Sequence, residues 1–201
     1  TIAVGGTSGC AVGSSSVALG ANTVTLTAGG GDKAYVCTVT FTDSAGNTAG
    51  ALTLTSFTLD TAAAAPSETT PVTALANDAT PDVVITTAEA GTIAVGGTTG
   101  CGVSGSNAVG SGSNTVPLTA SNGDGAYNCT VTFTDSAGNS AAALTLTSFT
   151  LDTAVAVPSE TTAVTTPTKD TTPDVVITTT QAGTIAVGGT SGCAVGSSSV
   201  A

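Results

Sequence analysis

A stretch of alternating apolar and polar residues, present twice in the chain, is the sequence feature that most limits the possible fold. The segment AYNCTVTFTDSAGN runs from Ala126 to Asn139, and a near copy runs from Ala34 to Asn47. In the later copy Asn and Thr separate four bulky or apolar residues at every second position, namely Tyr127, Cys129, Val131 and Phe133. Because side chains alternate between the two faces of a strand, one face of this segment is predicted to be buried in a β-sheet.

The segment ends in the motif DSAGN, which is typical of a tight turn. Asp can hydrogen-bond its own backbone, and Gly and Asn tolerate positive φ. A second apolar-rich strand follows, so the pair is predicted to form an antiparallel hairpin. The apolar residues of this return strand change parity between Leu146 and Phe149, which predicts a β-bulge near Thr147 and Ser148.

The composition excludes several classes of function. Charged residues make up 7% of the chain, the net charge is −11, and there is no His, Met or Trp. The excess of acidic residues argues against nucleic acid as a partner, and no apolar run is long enough for membrane insertion. Without His the chain cannot hold a Ser/His/Asp or Cys/His catalytic set, so we expect no enzymatic activity and no organic cofactor. The acidic surface is compatible with divalent cations such as Ca²⁺.

The cysteines predict a disulfide framework. Cys10 and Cys37 are 27 residues apart, Cys101 and Cys129 are 28 apart, and Cys193 is left over. We expect one disulfide in each structural unit, Cys10–Cys37 and Cys101–Cys129, and therefore an oxidising compartment. The partner of Cys193 is expected in a further stretch of the same repeat. Zinc is the competing interpretation, but a structural zinc site needs four close ligands and the chain has no His.

The chain repeats itself at two levels. The sequence TIAVGGT begins at Thr1, Thr92 and Thr184, at intervals of 91 and 92 residues, which suits one small sandwich domain per repeat. Residues 1–18 are identical to residues 184–201 whereas the middle copy diverges, so the higher period is a pair of domains, 183 residues long. We interpret the chain as a window on a longer tandem array. Half-domains of separate chains could instead complete each other, but both ends would then supply the same third strand.

One complete unit, residues 62–153, is predicted to contain about seven short strands. Strands are expected in both arms of the hairpin and before it, near residues 69–74, 81–87, 91–95 and 115–119, with an irregular Gly-, Ser- and Asn-rich stretch at 96–114. Such even spacing indicates an all-β, two-sheet Greek-key sandwich. Residues 1–61 would then be a partial unit with the C-terminal strands, and residues 154–201 a partial unit with the N-terminal strands. The linkers are short and lack a Gly/Ser tract, so neighbouring units should hold a fixed relation.

The order of motifs resembles that of the bacterial immunoglobulin-like (Ig-like) repeats. A Thr-Pro-Asp strand is followed by a Glu-Ala-Gly-Thr-Ile turn, then by CTVTFTDSAGN, and then by the exit strand LTSFTLDT. The resemblance covers nearly the whole chain. It implies tandem Ig-like sandwiches, an extracellular or cell-surface location, and a role as stalk or spacer in large surface proteins and adhesins.

Two details of the resemblance concern single residues. Cys101 follows the third predicted strand rather than lying in the second, so its bridge is not expected to be the inter-sheet pin of antibody domains. Tyr127 lies two residues before Cys129, where it fits either a tyrosine corner or an ordinary core tyrosine.

Four oxygen-bearing side chains are predicted to gather at one pole of the complete unit. Glu89 lies in the loop between the second and third strands, Asp135 and Asn139 lie in the hairpin turn, and Asp60 ends the preceding unit. Carboxylate and amide oxygens are ligands that Ca²⁺ prefers, so these residues form a candidate calcium site. The alternative is that Asp135 and Asn139 only shape the turn while Asp60 is solvated. In the next unit Gln181 replaces Glu89, which weakens any equivalent site there.

These observations favour a non-enzymatic structural region of an extracellular bacterial fibre or adhesin stalk, built as a polymer or as a long tandem array. The expected partner is the protein itself, either as a filament or as the continuation of the same array. The alternative is an adhesin module that binds carbohydrate or protein, with calcium taking part. A carbohydrate platform would need exposed aromatic rings, but Trp is absent and Tyr35 and Tyr127 both have inward parity.

Overall fold

The computed structural model describes residues 1–13, 16–189 and 192–194. Strands are the regular secondary structure of these residues, and the all-β prediction is confirmed. No helix among them is long and apolar enough to cross a membrane. Parts of the predicted first and third units, residues 14–15, 190–191 and 195–201, lie outside the described residues.

The strands fall into three groups along the chain. The first group is β1 (Ile2–Gly6), β2 (Cys10–Val12), β3 (Leu26–Ala28), β4 (Lys33–Tyr35), β5 (Cys37–Phe41), β6 (Leu52–Thr53) and β7 (Phe57–Leu59). The second is β8 (Ser67–Thr70), β9 (Leu75–Ala76), β10 (Asp82–Thr87), β11 (Gly91–Gly97), β12 (Cys101–Val103), β13 (Ala108–Val109), β14 (Gly112–Ala120), β15 (Gly125–Tyr127), β16 (Cys129–Asp135), β17 (Leu144–Thr145) and β18 (Phe149–Leu151). The third is β19 (Ser159–Thr162) and β20 (Val176–Thr178).

The second group forms two layers around one hydrophobic core. One sheet has the strand order β12-β14-β10-β8, and the other has the order β13-β11-β16-β17. A small sheet of β15, β18 and β9 completes the second layer, with β9 parallel to β18. Strands β10 and β11 are adjacent in sequence but lie in different sheets, which is typical of a Greek-key sandwich. One cluster of buried side chains, contributed by both layers, fills the space between them.

The strand register confirms the predicted hairpin and its bulge. Thr130 pairs with Thr145, and further along the same hairpin Tyr127 pairs with Phe149. Between these two pairs the first strand advances by three residues and the second by four. The return strand therefore has one extra residue, near Thr147. The bulge changes the parity of the return strand, so the apolar residues on both sides of it turn inward.

Two segments differ from the prediction. The stretch 96–114 is not irregular, because β12 pairs with β14 and β13 pairs with β11. The first strand, predicted at 69–74, is instead two short strands in different sheets. Strand β8 ends at Thr70 and pairs with β10, whereas β9 begins at Leu75 and pairs with β18. Pro71 follows β8 directly, and it has no N–H group to continue the ladder.

The alternating stripe of β15 and β16 forms the centre of the core. Its predicted inward parity is correct, because four side chains are at most 2% exposed, namely Tyr127, Cys129, Val131 and Phe133. The hydroxyl of Tyr127 accepts a hydrogen bond from the N–H of Asn122 at 2.8 Å and donates one to the carbonyl of Gly123 at 2.9 Å. Tyr127 is therefore a tyrosine corner. Tyr35 makes the equivalent two bonds in the first group of strands.

Two disulfides are present, and they join the cysteines that were paired from the sequence. Cys10 bonds Cys37 and Cys101 bonds Cys129, with Cα–Cα distances of 5.9 and 5.8 Å. Contrary to expectation, the second bridge does join the two sheets, since it runs from β12 to β16. It differs from the antibody arrangement in starting from β12 instead of β10. Cys193 is exposed and has no disulfide partner among the described residues, so the expectation of one disulfide per unit is met in two of the three.

The first and third groups repeat parts of the second. Strands β1, β5 and β6 pair in the registers of β11, β16 and β17, and the pairs β2–β3 and β4–β7 match β12–β14 and β15–β18. Strands β19 and β20 match β8 and β10. Within the described part of the chain, residues 1–61 have no counterpart of β8 and β10, and residues 154–189 have none of β11 to β18.

Replacing Tyr127 with Phe should loosen the core of the complete unit. The N–H of Asn122 and the carbonyl of Gly123 would lose their hydroxyl partner, which should lower the free energy of unfolding by about 1 kcal/mol. Hydrogen exchange measured by mass spectrometry should show faster exchange in β16. The control is Tyr35→Phe, which should affect β5 and leave β16 unchanged. Unaltered exchange in β16 of the Tyr127→Phe variant would contradict the prediction.

Candidate cation site at the junction between units

A single carboxylate organises the turn after β16. Asp135 Oδ1 accepts hydrogen bonds from the N–H groups of Ala137 and Asn139, both at 2.8 Å. Its Oδ2 accepts a third from Asn139 Nδ2, also at 2.8 Å. These bonds hold the carboxylate of Asp135, which is 6% exposed, at one pole of the complete unit.

The structure brings Asp135 together with the two other carboxylates predicted to lie there. One oxygen each from Asp60, Glu89 and Asp135 lies within 4.8 Å of the others. Asp60 follows β7, Glu89 lies between β10 and β11, and Asp135 ends β16. The cluster therefore joins three chain segments, one of which belongs to the preceding group of strands.

Asn139, the fourth predicted residue, uses its amide nitrogen at this junction. Nδ2 donates to the main-chain carbonyl of Asp60 at 3.0 Å as well as to the Asp135 carboxylate. Asn139 therefore fastens the end of the preceding group of strands to the turn. The sequence interpretation treated it as an oxygen ligand, whereas the structure gives it a positioning role for two of the carboxylates.

The linker after Asp60 lies against the same pole. The N–H of Ala64 donates to Glu89 Oε1 at 3.4 Å, and Ala63 packs against the core of the complete unit. Pro66, at the end of the linker, is buried. These contacts support the expectation that neighbouring units hold a fixed relation.

At the second junction Gln181 takes the place of Glu89. Its Nε2 donates to Asp152 Oδ2 at 3.1 Å, and its Oε1 accepts from the N–H of Ala156 at 3.4 Å. The amide thus bonds the carboxylate that corresponds to Asp60. The described residues of the second junction include counterparts of Asp60 and Glu89, namely Asp152 and Gln181, so the junctions can be compared at this pair, where an amide stands in place of a carboxylate.

The donor set of the first junction fits a hard divalent cation. Carboxylates this close repel one another, and either a proton or a cation relieves the repulsion. Ca²⁺ takes about six to eight oxygen ligands at roughly 2.3–2.6 Å, so three carboxylates would supply part of its shell and water the rest. The cluster contains neither Cys nor His, which makes it unsuitable as a structural zinc site.

The hydrogen bonds at Asp135 keep this carboxylate ionised. Burial raises the pKa of Asp135, but the bonds from the side chain and N–H of Asn139 and from the N–H of Ala137 outweigh that effect. The pKa of Asp135 therefore lies below its ordinary value. The anionic form, which binds cations, is the form present at neutral pH.

Two aspartates that the sequence interpretation did not single out also act at the junctions. Asp124 Oδ1 accepts hydrogen bonds from the N–H and the hydroxyl of Thr153 at 3.0 and 2.7 Å. Asp32 makes the equivalent bonds to Thr61. Each aspartate holds the first residue of a linker to the loop before the corner tyrosine. The sequence Gly-Asp-X-Ala-Tyr, present in both copies, was the available signal.

The two-sheet sandwich, the tyrosine corner and the disulfide between the sheets define an immunoglobulin-like domain. Residues 62–153 match the family model of the bacterial Ig-like domain, and this unit belongs to that family. The comparison with curated proteins gave no match. A bacterial Ig-like domain is a structural or adhesion-type module and is generally non-enzymatic.

The turn after β5 repeats the hydrogen bonding of Asp135 at Asp43 and gives a prediction for pH. The Asn47 side chain, followed by its N–H group, holds the pKa of Asp43 below its ordinary value. A carboxyl group of this kind stabilises the fold above its unfolded pKa of about 3.9, and the contribution is lost as the pH falls through the folded pKa. Asn47→Ala should therefore raise the pKa of Asp43 and reduce the contribution of this group to stability.

Carbon-13 NMR titration of the carboxyl groups in calcium-free buffer measures this change. Asp78 is the control, because its pKa is lowered by hydrogen bonds from Thr80 and not by an Asn. Its midpoint should be the same in both proteins. An Asp43 midpoint that does not move in the Asn47→Ala variant would show that the turn bonds do not set this pKa.

Proposed function

We propose that the chain is a non-enzymatic structural region of an extracellular bacterial surface fibre or adhesin stalk, in which Ig-like units follow one another in a tandem array. The observation that carries this proposal is the first junction. There Asn139 bonds the main chain of Asp60, and Glu89 bonds the N–H of Ala64. Such bonds transmit the orientation of one unit to the next, which a stalk requires and an isolated binding module does not.

The disulfides support an extracellular location. Disulfides form and persist in oxidising compartments, and they are common in small domains with limited cores. The bridges Cys10–Cys37 and Cys101–Cys129 span 27 and 28 residues. Closing loops of this size stabilises a folded domain by about 3–4 kcal/mol. A unit held in this way is suited to the cell surface.

A ligand-binding adhesin module, for carbohydrate or protein, is the alternative function. The complete unit, residues 62–153, offers few groups for it, because its aromatic residues Tyr127, Phe133 and Phe149 are all buried. Its one strongly exposed large apolar side chain is Leu75, at 67%. Single exposed apolar residues are ordinary on protein surfaces, so the structural role is better supported.

The partner that we propose for the chain is more of the same protein. Large exposed apolar side chains occur mainly outside the complete unit, in the two incomplete groups of strands and their linkers. Those on the strands themselves or immediately beside them include Phe41, Leu52, Phe57, Val175 and Val176. The equivalents of Phe41, Leu52, Phe57 and Val175 are Phe133, Leu144, Phe149 and Val83, which lie in or beside the core of the complete unit. Val84, the equivalent of Val176, is half-buried on the other face of its strand. Like units in a longer array or filament would cover them.

Asn139→Ala should make the first junction more flexible. The variant removes the bond from Nδ2 to the carbonyl of Asp60, which is 79 residues away in sequence. Small-angle X-ray scattering should then show a broader distribution of distances between residues 1–61 and the complete unit. The matched control is Asn47→Ala, which disturbs the same type of turn at Asp43 without touching the junction. Equal scattering of wild type and Asn139→Ala would count against a stalk stiffened at this point.

We propose in addition that the first junction binds Ca²⁺ through Asp60, Glu89 and Asp135, with Asn139 positioning two of them. The proposal is supported by the oxygen atoms within 4.8 Å of one another and by the ionised state of Asp135. It is also supported by comparison with the second junction. There the amide of Gln181 donates a hydrogen bond directly to the Asp152 carboxylate, whereas at the first junction a cation would join Glu89 to Asp60. Bound Ca²⁺ would add a bridge between units to the bonds already present.

Glu89→Gln should give the first junction the amide that Gln181 provides at the second. Calorimetric titration should show calcium affinity lowered by more than about tenfold, because one of three carboxylate ligands is lost. Chelation should loosen the junction of the wild type, as measured by scattering, but should not affect the variant. The control is Asp78→Asn, which removes one negative charge away from the cluster. A wild type that releases no heat with calcium and does not respond to chelator would contradict calcium binding, while the stalk proposal would still depend on the Asn139 result.

A further inference from the structure

The two copies of the alternating segment differ at one residue. Residues 34–47 and 126–139 are identical except that the first copy has Val36 where the second has Asn128. This difference creates the sequence Asn-Cys-Thr at 128–130. It has the form Asn-X-Ser/Thr, with X other than Pro, in which the asparagine of secreted proteins accepts a glycan. Asn128 is the only asparagine of the sequence with Ser or Thr two residues after it.

The structure places Asn128 on the surface of the complete unit. It is the single residue between β15 and β16, and it is exposed. Cys129 points into the core, where it is 1% exposed, and Thr130 returns to the outer face, where it is half-buried. Because side chains alternate along an extended chain, the amide of Asn128 and the hydroxyl of Thr130 lie on the same outer side of the sheet.

The main chain of Asn128 is held by bonds that do not involve its side chain. Its N–H donates to Thr98 Oγ1 at 2.9 Å, and its carbonyl accepts from the N–H of Thr98 at 2.9 Å. Val36 makes the same two bonds with Thr7, both at 2.9 Å. A side chain without polar groups thus occupies the equivalent position with the same backbone bonds. The fold therefore does not account for the amide at position 128.

Asn128 is remote from the candidate cation site. Strand β16 begins directly after Asn128 and ends at Asp135, so at 3.3 Å per residue the two are roughly 20 Å apart. A group attached at Asn128 would project from the side of the unit and leave the junction free. A glycan is bulky and solubilising, so it would shield this side of the sandwich.

We propose that Asn128 is the acceptor of an N-linked glycan, which goes beyond the proposed structural role by giving the chain a site of covalent modification. Nδ2 attacks the anomeric carbon of an activated sugar that carries a pyrophosphate leaving group. The C–N bond forms as the C–O bond to the pyrophosphate breaks, and the pyrophosphate leaves with that electron pair. Nδ2 loses one proton to a base of the transferase, and no oxidant or reductant is needed.

The transfer takes place before the unit folds. In the folded unit the main chain of β16 is paired on both sides, with β11 and with β17, and Cys129 is bonded to Cys101. An amide nitrogen shares its lone pair with the carbonyl and is a weak nucleophile, so a transferase has to enclose the whole motif. Only the unpaired chain offers all three residues to such a cleft. Folding then leaves the glycan outside.

Peptide mass spectrometry of the protein produced in its native cells tests the proposal. The peptide that contains Asn128 should be heavier than its sequence by one glycan, and fragmentation should place the added mass on this residue. Asn128→Gln and Thr130→Val should carry no glycan, whereas Thr130→Ser, which keeps the hydroxyl, should retain it. Val suits a strand as well as Thr does, so Thr130→Val should fold. The control is Asn122→Gln, which changes an exposed asparagine outside the motif and should leave the glycan in place.

Val36→Asn is the matched variant that adds a site. It creates Asn-Cys-Thr at 36–38 in the otherwise identical segment, so a second glycan should appear there. An inhibitor of polyprenyl-pyrophosphate sugar synthesis distinguishes the two sources of donor. Loss of the glycan in treated cells would identify a lipid-linked donor, and its persistence would identify a nucleotide sugar, which has the same leaving-group chemistry.

Three results would overturn the proposal. They are a wild-type peptide with the mass of its sequence alone, a glycan that remains in Asn128→Gln or Thr130→Val, and a Val36→Asn chain that gains no second glycan. None of them would affect the stalk proposal, which is tested at a junction within one chain by Asn139→Ala.

Discussion

The rest of the structure depends on one constraint, which is that each sheet buries the apolar face of the other. A strand with alternating apolar residues buries its inner face only when a second layer lies across it. The chain shows both situations with nearly the same sequence. Phe133 is fully buried where the second layer is present, and Phe41 is 44% exposed where it is absent. Because the strand pairings around the two rings are equivalent, the difference in burial lies in the second layer and not in the ladder.

The features that the sequence predicted correctly are those decided by residues close together in the chain. The inward stripe of β16, the turn at Asp135 and the bulge near Thr147 all follow from local alternation and turn chemistry. The segment 96–114 could not be predicted in this way, because its strands pair with distant partners and its Gly residues resemble loop residues. At Gly102 a Cβ would lie 2.6 Å from the Thr119 hydroxyl, so glycine there permits close approach of two strands. Sequence alone does not distinguish that use of glycine from a flexible loop.

The candidate site also has features that could be predicted from the sequence and features that could not. The grouping of Asp60, Glu89 and Asp135 could be predicted, because the order of strands in a sandwich determines which loops share a pole. The role of Asn139 could not, since it depends on which end of its amide meets the carbonyl of Asp60. The contact between Glu68 and Thr147 was missed altogether. It joins residues 79 apart through a bulge N–H whose direction is known only once both layers are in place.

The longer repeat period of the sequence indicates where the difference between Glu89 and Gln181 would recur in an array. Residues 1–18 and 184–201 are identical whereas the middle copy differs, so the unit that repeats is a pair of domains and not a single one. An array with this period would alternate two kinds of junction. At the Gln181 type the amide bonds the Asp152 carboxylate directly, so this pair is joined without any ion. At the Glu89 type the carboxylates of Asp60 and Glu89 lie together with that of Asp135, and the proposed Ca²⁺ would be the group that joins them. Stiffness would then depend on calcium at every second junction, so a stalk of this kind could bend in low calcium without losing the order of its paired domains.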